Sequence, residues 1–394
     1  MQYSELNPQQ RLLLGPGPSP VHPRVLKAMS TNVVGHMDPR YFQVMDDCQA
    51  MLRDLYGTQN RVTFPVSGTG SAGMETSICN VVEEGDKVIV CINGYFGERL
   101  ADLADRYGAE VIRVEAPWGR TIDPADLKKT LDANLDAALV AIVHAETSTG
   151  VLQPLEEIGT ICREHGALLL TDCVTSLGGV PVKLDEWGVD VAYSCSQKGL
   201  SCPPGLAPLS MSERALGRVR ERKGRVKNFY FDVDILSKYW GAERAYHHTA
   251  PISMVYAIRE GLRIVFEEGF LARFDRHMLA SGALQAGLEG LGLSMFAQAG
   301  IRNPTLNTVT VPEGVDEAAV RKSLLDEFNI EIAGGLGLLA GKIWRIGMLG
   351  SGATQANVVY FLSALEVIFK RMGYIELVGG AVSAATRVFA EAEA

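Results

Sequence analysis

No uninterrupted apolar run in the sequence reaches the roughly 18–20 residues that a membrane-crossing helix needs. The first ten residues, MQYSELNPQQ, hold neither a basic stretch nor an apolar one, so no secretory signal is read there. There is no CxxC pair. The seven cysteines (48, 79, 91, 162, 173, 195 and 202) are odd in number, scattered and mostly set in apolar runs such as Ile89-Val90-Cys91-Ile92. That pattern argues against a zinc knuckle or a disulfide framework, and a reducing, cytoplasmic setting is expected. Positive charge is also short, 37 Lys and Arg against 46 Asp and Glu, a formal net charge of −9. A chain-wide electrostatic grip on nucleic acid is therefore not expected, whereas a local basic pocket for a small anion is compatible with the count. Neither internal repeats nor low-complexity tracts are found.

What is present is ordinary for a globular protein: 394 residues, 47% apolar and 21% charged, with 41 Gly and 17 Pro. That is two or three domains' worth of chain, with ample material for a large core. From about residue 60 to 215 two periods alternate. β-Rich runs occupy Val62–Val66, Lys87–Ile92, Glu110–Glu115, Ala138–His144, Ala167–Thr171 and Val189–Tyr193. Between them, Met74–Val82, Glu98–Tyr107, Pro124–Leu131 and Leu155–His165 have helical spacing. Nearly all-apolar strands joined by helices imply a mostly parallel sheet buried on both faces, an α/β large domain.

The flanks differ. Gly15-Pro16-Gly17-Pro18-Ser19-Pro20 can be neither helix nor central strand, and residues 1–20 are read as a connector of fixed shape. Residues 40–56 carry one broad apolar face at helical spacing. Beyond about 255 come long helices (Met254–Glu268, Phe274–Leu291), strands at Thr305–Val311 and Ile343–Met348, and helices at Glu317–Phe328 and Gln355–Met372. The division expected is a large domain over 21–265 and a smaller α+β C-terminal domain over 266–394. The Ala- and Glu-rich stretch after Gly379 is expected to be a loosely attached helix.

Two features carry chemistry. Gly68-Thr69-Gly70-Ser71-Ala72-Gly73 matches GxGxxG between a strand and a helix, as a dinucleotide fingerprint would. The next strand, however, ends Val90-Cys91-Ile92-Asn93, with no acid for a ribose hydroxyl. The favoured reading is a phosphate held at a helix N-terminus, with a structural turn and a dinucleotide site as alternatives. Second, Ala167–Asp172 is a buried-strand run ending on a carboxylate, and Val191–Lys198 ends on a lysine. Both fall at the carboxyl edge of the sheet, where α/β folds bind ligands. Either alone would be read as a solvated or paired strand-end charge. With a phosphate cup, they are the parts a pyridoxal phosphate enzyme requires: a lysine for the Schiff base and an acid for the pyridine nitrogen.

The runs Leu14-Gly15-Pro16-Gly17-Pro18, Ser67-Gly68-Thr69-Gly70, Glu146-Thr147-Ser148-Thr149-Gly150-Val151, Ser196-Gln197-Lys198-Gly199 with Pro203-Pro204-Gly205, Tyr246-His247-His248-Thr249 and Trp344-Arg345-Ile346-Gly347 follow in this order. Together they resemble the alanine–glyoxylate and serine–pyruvate aminotransferases, class V members of the fold-type I pyridoxal phosphate enzymes, over roughly residues 11–373.

The resemblance implies that Lys198 is the Schiff-base lysine and moves the proton between substrate Cα and cofactor C4′. It implies that Asp172 partners the pyridinium nitrogen, with Val174 on one ring face and Phe96 stacked where the family usually has Trp. Thr69, Gly70 and Gln197 are implied phosphate ligands, beside Ser71, which stands where the mammalian relatives have His. Thr147 brings a hydroxyl to the ring oxygen. Tyr246 and Thr249 reach the phosphate of a neighbouring subunit's cofactor, which implies a homodimer with shared sites. Arg345 holds the substrate α-carboxylate, with Gly17 and Thr147 also bordering the substrate.

The reaction implied is a ping-pong transfer of an amino group from alanine or serine to glyoxylate or pyruvate. No metal, nucleic acid or membrane partner is expected. His247 and His248 diverge as neighbours in sequence. His36 and Asp38 either border the pocket or shape a turn, and Trp344, Cys195 and Cys202 are read as packing. Three rivals stay open. A lyase or desulfurase would need a late nucleophilic cysteine, and the last one here is Cys202. A transaminase using aspartate or an aminophosphonate would need an added cation such as Arg40 or Arg244. A nicotinamide oxidoreductase rests on the glycine motif alone.

Overall fold

The computed structural model of the chain describes residues 3–393. Met1, Gln2 and Ala394, the outer ends of the connector and the C-terminal region as read from the sequence, lie outside the described residues.

Seven strands form the main sheet: β1 (Val62–Ser67), β2 (Lys87–Ile92), β3 (Glu110–Glu115), β4 (Leu139–Val143), β5 (Leu168–Asp172), β6 (Val191–Tyr193) and β7 (Leu206–Met211). Their spatial order is β1-β7-β6-β5-β4-β2-β3. All neighbouring pairs are parallel except the two made by β7, which runs antiparallel to both β1 and β6. The central strands are apolar on both faces, and Val88–Val90, Leu139–Ala141 and Leu169–Leu170 are fully enclosed by helices.

The sequence pattern did not reveal β7. Pro203, Pro204, Gly205 and Pro208 crowd that segment, and proline in a central strand ordinarily argues against one. The register shows how it is accommodated. Pro208 lies directly opposite Pro65, so two residues without an N–H face each other. Pro208 O accepts from Ser194 N (2.8 Å) and Tyr56 Oη (3.0 Å). Because β7 reverses direction between β1 and β6, those two strands still run parallel. Their carboxyl ends, Ser67 and Tyr193, therefore share an edge with Asp172.

A second core is built on an antiparallel three-stranded sheet of Leu306–Thr310, Ile343–Gly347 and Ala333–Gly334, covered by the helices Phe270–Gly290, Glu317–Phe328 and Gln355–Arg371. The tail corrects an expectation. Gly380–Glu393 is a helix packed on Phe270–Gly290, with Ala381 and Ala385 fully buried and Phe389 nearly so, and is not loosely attached. Its alanines permit the close approach: Gly287, on the facing helix, has no room for a Cβ beside Leu362 and Ala381 O.

The N-terminal segment stitches the two cores together. Leu12–Leu13 pair in parallel with Ile330–Glu331, and Leu14 belongs to the second core. Five residues on, Ser19 N donates to Gln197 O (2.9 Å) and Ser19 Oγ to Lys198 O (2.8 Å). The connector thus runs from the second core to the lysine loop.

Candidate active site

A cavity of about 170 Å³ opens at the carboxyl ends of β1, β4, β5 and β6. Thr69, Gly70, Ser71, Phe96, Thr147, Asp172, Val174, Gln197 and Lys198, all singled out in the sequence, line it together. A larger groove of about 880 Å³ lies at the opposite ends of β4 and β5 and contains none of them.

The glycine loop leads from β1 into the helix Gly70–Val81. Elsewhere Asp123, Asp316 and Thr354 cap their helices through the side chain, but Thr69 at this N-cap makes no such bond. Thr69 and Ser71 are exposed at the cavity mouth, so the positive helix end and its hydroxyls are free for an anion. Gly70 admits no bulk, since a Cβ there would press to 3.2 Å from Cys195 Cβ and 3.4 Å from Val174 Cγ2. Gln197 Oε1 is buried and has no partner among the described residues.

Asp172 ends β5 with its side chain buried. Its Oδ1 accepts from Val174 N (2.8 Å) and its Oδ2 from Tyr193 Oη (2.5 Å). Burial pushes its carboxyl up to about 6; Tyr193, the Val174 amide and Lys198 pull it down, and the Glu146 carboxylate adds to the rise. Lys198 lies in the loop after β6, where burial lowers its amine below the usual lysine range. Its Nζ donates to Pro16 O. Gly17, with φ +117°, lies where a Cβ would collide with Lys198 Nζ, so both backbone and space demand glycine there.

Arg345 comes from the small sheet, at the centre of Ile343–Gly347 between Thr308 and Ala333. It is 6% exposed, and burial brings its guanidinium down to about 10, against the pull of Glu146. Its Nε donates to Gly334 O (2.7 Å), and among the described residues it has no ion-pair partner. Its charge also depresses the Lys198 amine. The second core therefore delivers a desolvated, unpaired cation to the lysine.

Tyr246 and Thr249 stand apart. Both are exposed on the segment after the helix Val233–Trp240, and neither lines this chain's cavity. The Tyr246 ring lies tilted against His36, with centroids 5.5 Å apart, while Asp38 caps the helix Pro39–Tyr56 by accepting from Arg40 N (2.7 Å), a turn-shaping role. His247 and His248 bond to each other (2.8 Å) and to Phe229 O and Ser67 Oγ. Among the described residues no three His, Cys, Asp or Glu cluster as a metal would require. Trp344 is core, its Nε1 donating to Glu317 O, and Cys195 and Cys202 are buried with thiols pushed up to about 12.

Three residues escaped the sequence reading. Tyr193 reads as one more apolar strand position. Arg99 lines the cavity with its guanidinium 5.2 Å from the Phe96 ring centre, whereas Arg244 is tied to Asp46 at 2.5 Å. Glu146, quoted only as part of a motif, is fully buried. Its Oε2 accepts from Phe96 N (3.0 Å) and Gly97 N (3.3 Å), and its Oε1 from Ser148 N and Oγ. It thereby anchors the start of the helix Tyr95–Arg106, which carries Phe96 and Arg99.

These residues fit pyridoxal phosphate. The uncapped helix end suits a phosphate, Val174 and Phe96 give the cavity apolar walls for a ring, and the buried Asp172 has lone pairs free for a ring N–H.

The description "Aminotransferase class-V" belongs to the family model that matches residues 11–344. The chain is 42% identical to alanine–glyoxylate aminotransferase of Drosophila melanogaster, covering 90% of this chain and 91% of that one. It is 40% identical to (S)-ureidoglycine–glyoxylate transaminase of Bacillus subtilis, over 98% and 97% of the two chains. Among solved structures, alanine–glyoxylate aminotransferase from Nostoc sp. superposes with a TM-score of 0.92 at 50% identity, over 94% of this chain and 98% of that one.

Proposed function

The chain belongs to the class-V aminotransferases, pyridoxal phosphate-dependent transaminases, and from that premise we propose that it uses glyoxylate as amino acceptor and a small neutral amino acid, alanine or serine, as donor. The observation that carries the reading is the acceptor shared by its relatives: each of the three reported above has glyoxylate in its name. The donors in those names differ, so the relative named for (S)-ureidoglycine supports a second reading in which that compound is the donor. Separate half-reactions test this. Each candidate donor is added alone and the amino group it leaves on the enzyme is titrated with glyoxylate or pyruvate. Loading by alanine or serine and discharge by glyoxylate is the expected result; loading by ureidoglycine alone would select the second reading.

When bound, the cofactor supplies an aldehyde that condenses with amines and a ring that takes up carbanion electrons. Arg345 binds the substrate α-carboxylate: Gly334 O fixes its Nε, leaving the two terminal nitrogens as a planar fork. Lys198, with its amine biased toward the neutral form by burial and by Arg345, would take the proton from substrate Cα and return it to the cofactor carbon C4′, on the far side of the amino nitrogen. Asp172 holds the proton of the ring nitrogen. The helix end at Thr69–Ser71 and Gln197 hold the phosphate, and Phe96 and Val174 keep water from the ring faces.

The working unit proposed is a homodimer with shared sites. Its support is that Tyr246 and Thr249 are exposed and absent from their own chain's cavity. A complementation test follows. Lys198→Ala and Tyr246→Ala chains should each be poorly active alone. Mixed dimers should regain activity, because one site then combines an intact Lys198 with an intact Tyr246 from the other chain. Mixtures no more active than their components would show that each site is complete within one chain.

A further inference from the structure

The Tyr193 side chain lines the cavity, yet its polar atom is committed to a residue of the proposed machinery rather than to the space itself. It ends β6, immediately beside Asp172 at the end of β5, the two being direct neighbours in the parallel register. The ring is fully buried, and Gly73 on the helix above leaves it room: a Cβ there would come to 3.1 Å from Tyr193 Cβ. The hydroxyl sits 2.5 Å from Asp172 Oδ2, while Oδ1 takes the Val174 amide. An ionised carboxylate has about four lone-pair sites, so two remain for a ring N–H.

We propose that Tyr193 is the positioning residue of this site, donating its hydroxyl hydrogen to Asp172 Oδ2 so that the carboxylate stays ionised and correctly turned for the ring nitrogen of the cofactor; this rests on the role given to Asp172 above. Of the other groups around Asp172, the Val174 amide holds only the opposite oxygen, Oδ1, Glu146 opposes ionisation, and the Lys198 amine favours it through space with no hydrogen bond. The buried Cys173, Cys195 and Tyr56 are held in their neutral forms by burial. The Tyr193 phenol is itself held well above its usual range by burial and by Asp172, so it keeps its proton and serves as donor throughout the working pH range.

The test reads cofactor affinity of the apoprotein against pH, by equilibrium dialysis with pyridoxal phosphate. In the natural protein, affinity is expected to be level above about pH 6 and to decline below it as Asp172 takes up a proton. Tyr193→Phe removes one oxygen and keeps the ring. The break should move up by about one pH unit, leaving affinity about three-fold below the natural protein at pH 6.5 and approaching ten-fold below it by about pH 5, as expected for a lost hydrogen bond to a charged group. Replacing Tyr193 by 3-fluorotyrosine, a more acidic phenol of nearly the same volume, should move the break down. Asp172→Asn is the control, because the cofactor phosphate also titrates near pH 6. If Asp172→Asn abolishes the Asp172 break while Tyr193→Phe and the fluorinated protein both superpose on the natural protein, the role of Tyr193 is overturned and that of Asp172 stands. If Asp172→Asn keeps the natural profile unchanged, the reading of Asp172 fails and the proposal with it.

Discussion

Lys198→Ala is expected to lower turnover by about 10⁴-fold or more, the upper range for a positioned proton carrier, while the apoprotein melts as the natural protein does. The expectation follows from where Lys198 sits. Its amine is buried, biased toward the neutral form, and held against Pro16 O by a connector that leaves no side-chain room at Gly17. Nothing else in the cavity can replace it. Arg99 rests its guanidinium on the Phe96 ring, and Cys195 and Tyr193 are held protonated by burial. Stability should change little, because the neighbouring loop is fixed through backbone atoms: Ser19 holds the carbonyls of residues 197 and 198, and Arg273 Nε and Nη2 hold those of Gly178 and Gly199. Single-turnover rates with alanine and a thermal melt decide it. A variant with near-natural turnover would remove Lys198 from the chemistry.

Arg345→Ala should weaken the apparent affinity for donor and acceptor alike by about 100-fold, equivalent to roughly 3 kcal/mol, the loss expected when one partner of a buried charge pair is truncated. Both substrates carry a carboxylate beside the reacting carbon, so one residue serves both halves of the cycle. Arg345→Lys should recover little: the Nε bond to Gly334 O orients a planar fork, which an ammonium cannot reproduce. Affinity lost for one substrate and kept for the other would contradict the shared role.

How much of this was legible in the sequence depended on whether the signal was local. Lys87–Ile92, Glu110–Glu115 and Glu317–Phe328 have the expected bounds to the residue, because apolar runs and helical spacing declare themselves. β7 was hidden by its prolines, which only the pairing of Pro208 with Pro65 makes acceptable in a central strand. The attachment of the C-terminal helix was hidden because alanine-rich composition says nothing of the close-fitting Gly287 opposite it. At the site, residues that carry their function in their chemical type, such as Lys198, Asp172 and Arg345, could be named from motifs. Tyr193 and Glu146 act through what they touch. Tyr193 reads as strand and Glu146 only as part of a motif until β5 and β6 are laid side by side and the start of the helix Tyr95–Arg106 is seen resting on the carboxylate. Arg99 could have been noticed three residues after Phe96, one helical turn along the same face.

The central claim is a transaminase that passes an amino group through a pyridoxal cofactor bound at Lys198. The near-ultraviolet and visible spectrum of the purified, cofactor-loaded protein tests it most directly. The account predicts a visible cofactor band that L-alanine or L-serine, added alone, replaces with a band of the aminated cofactor, and that glyoxylate then restores. The absence of any band after reconstitution, or a band that no amino donor changes, would contradict it.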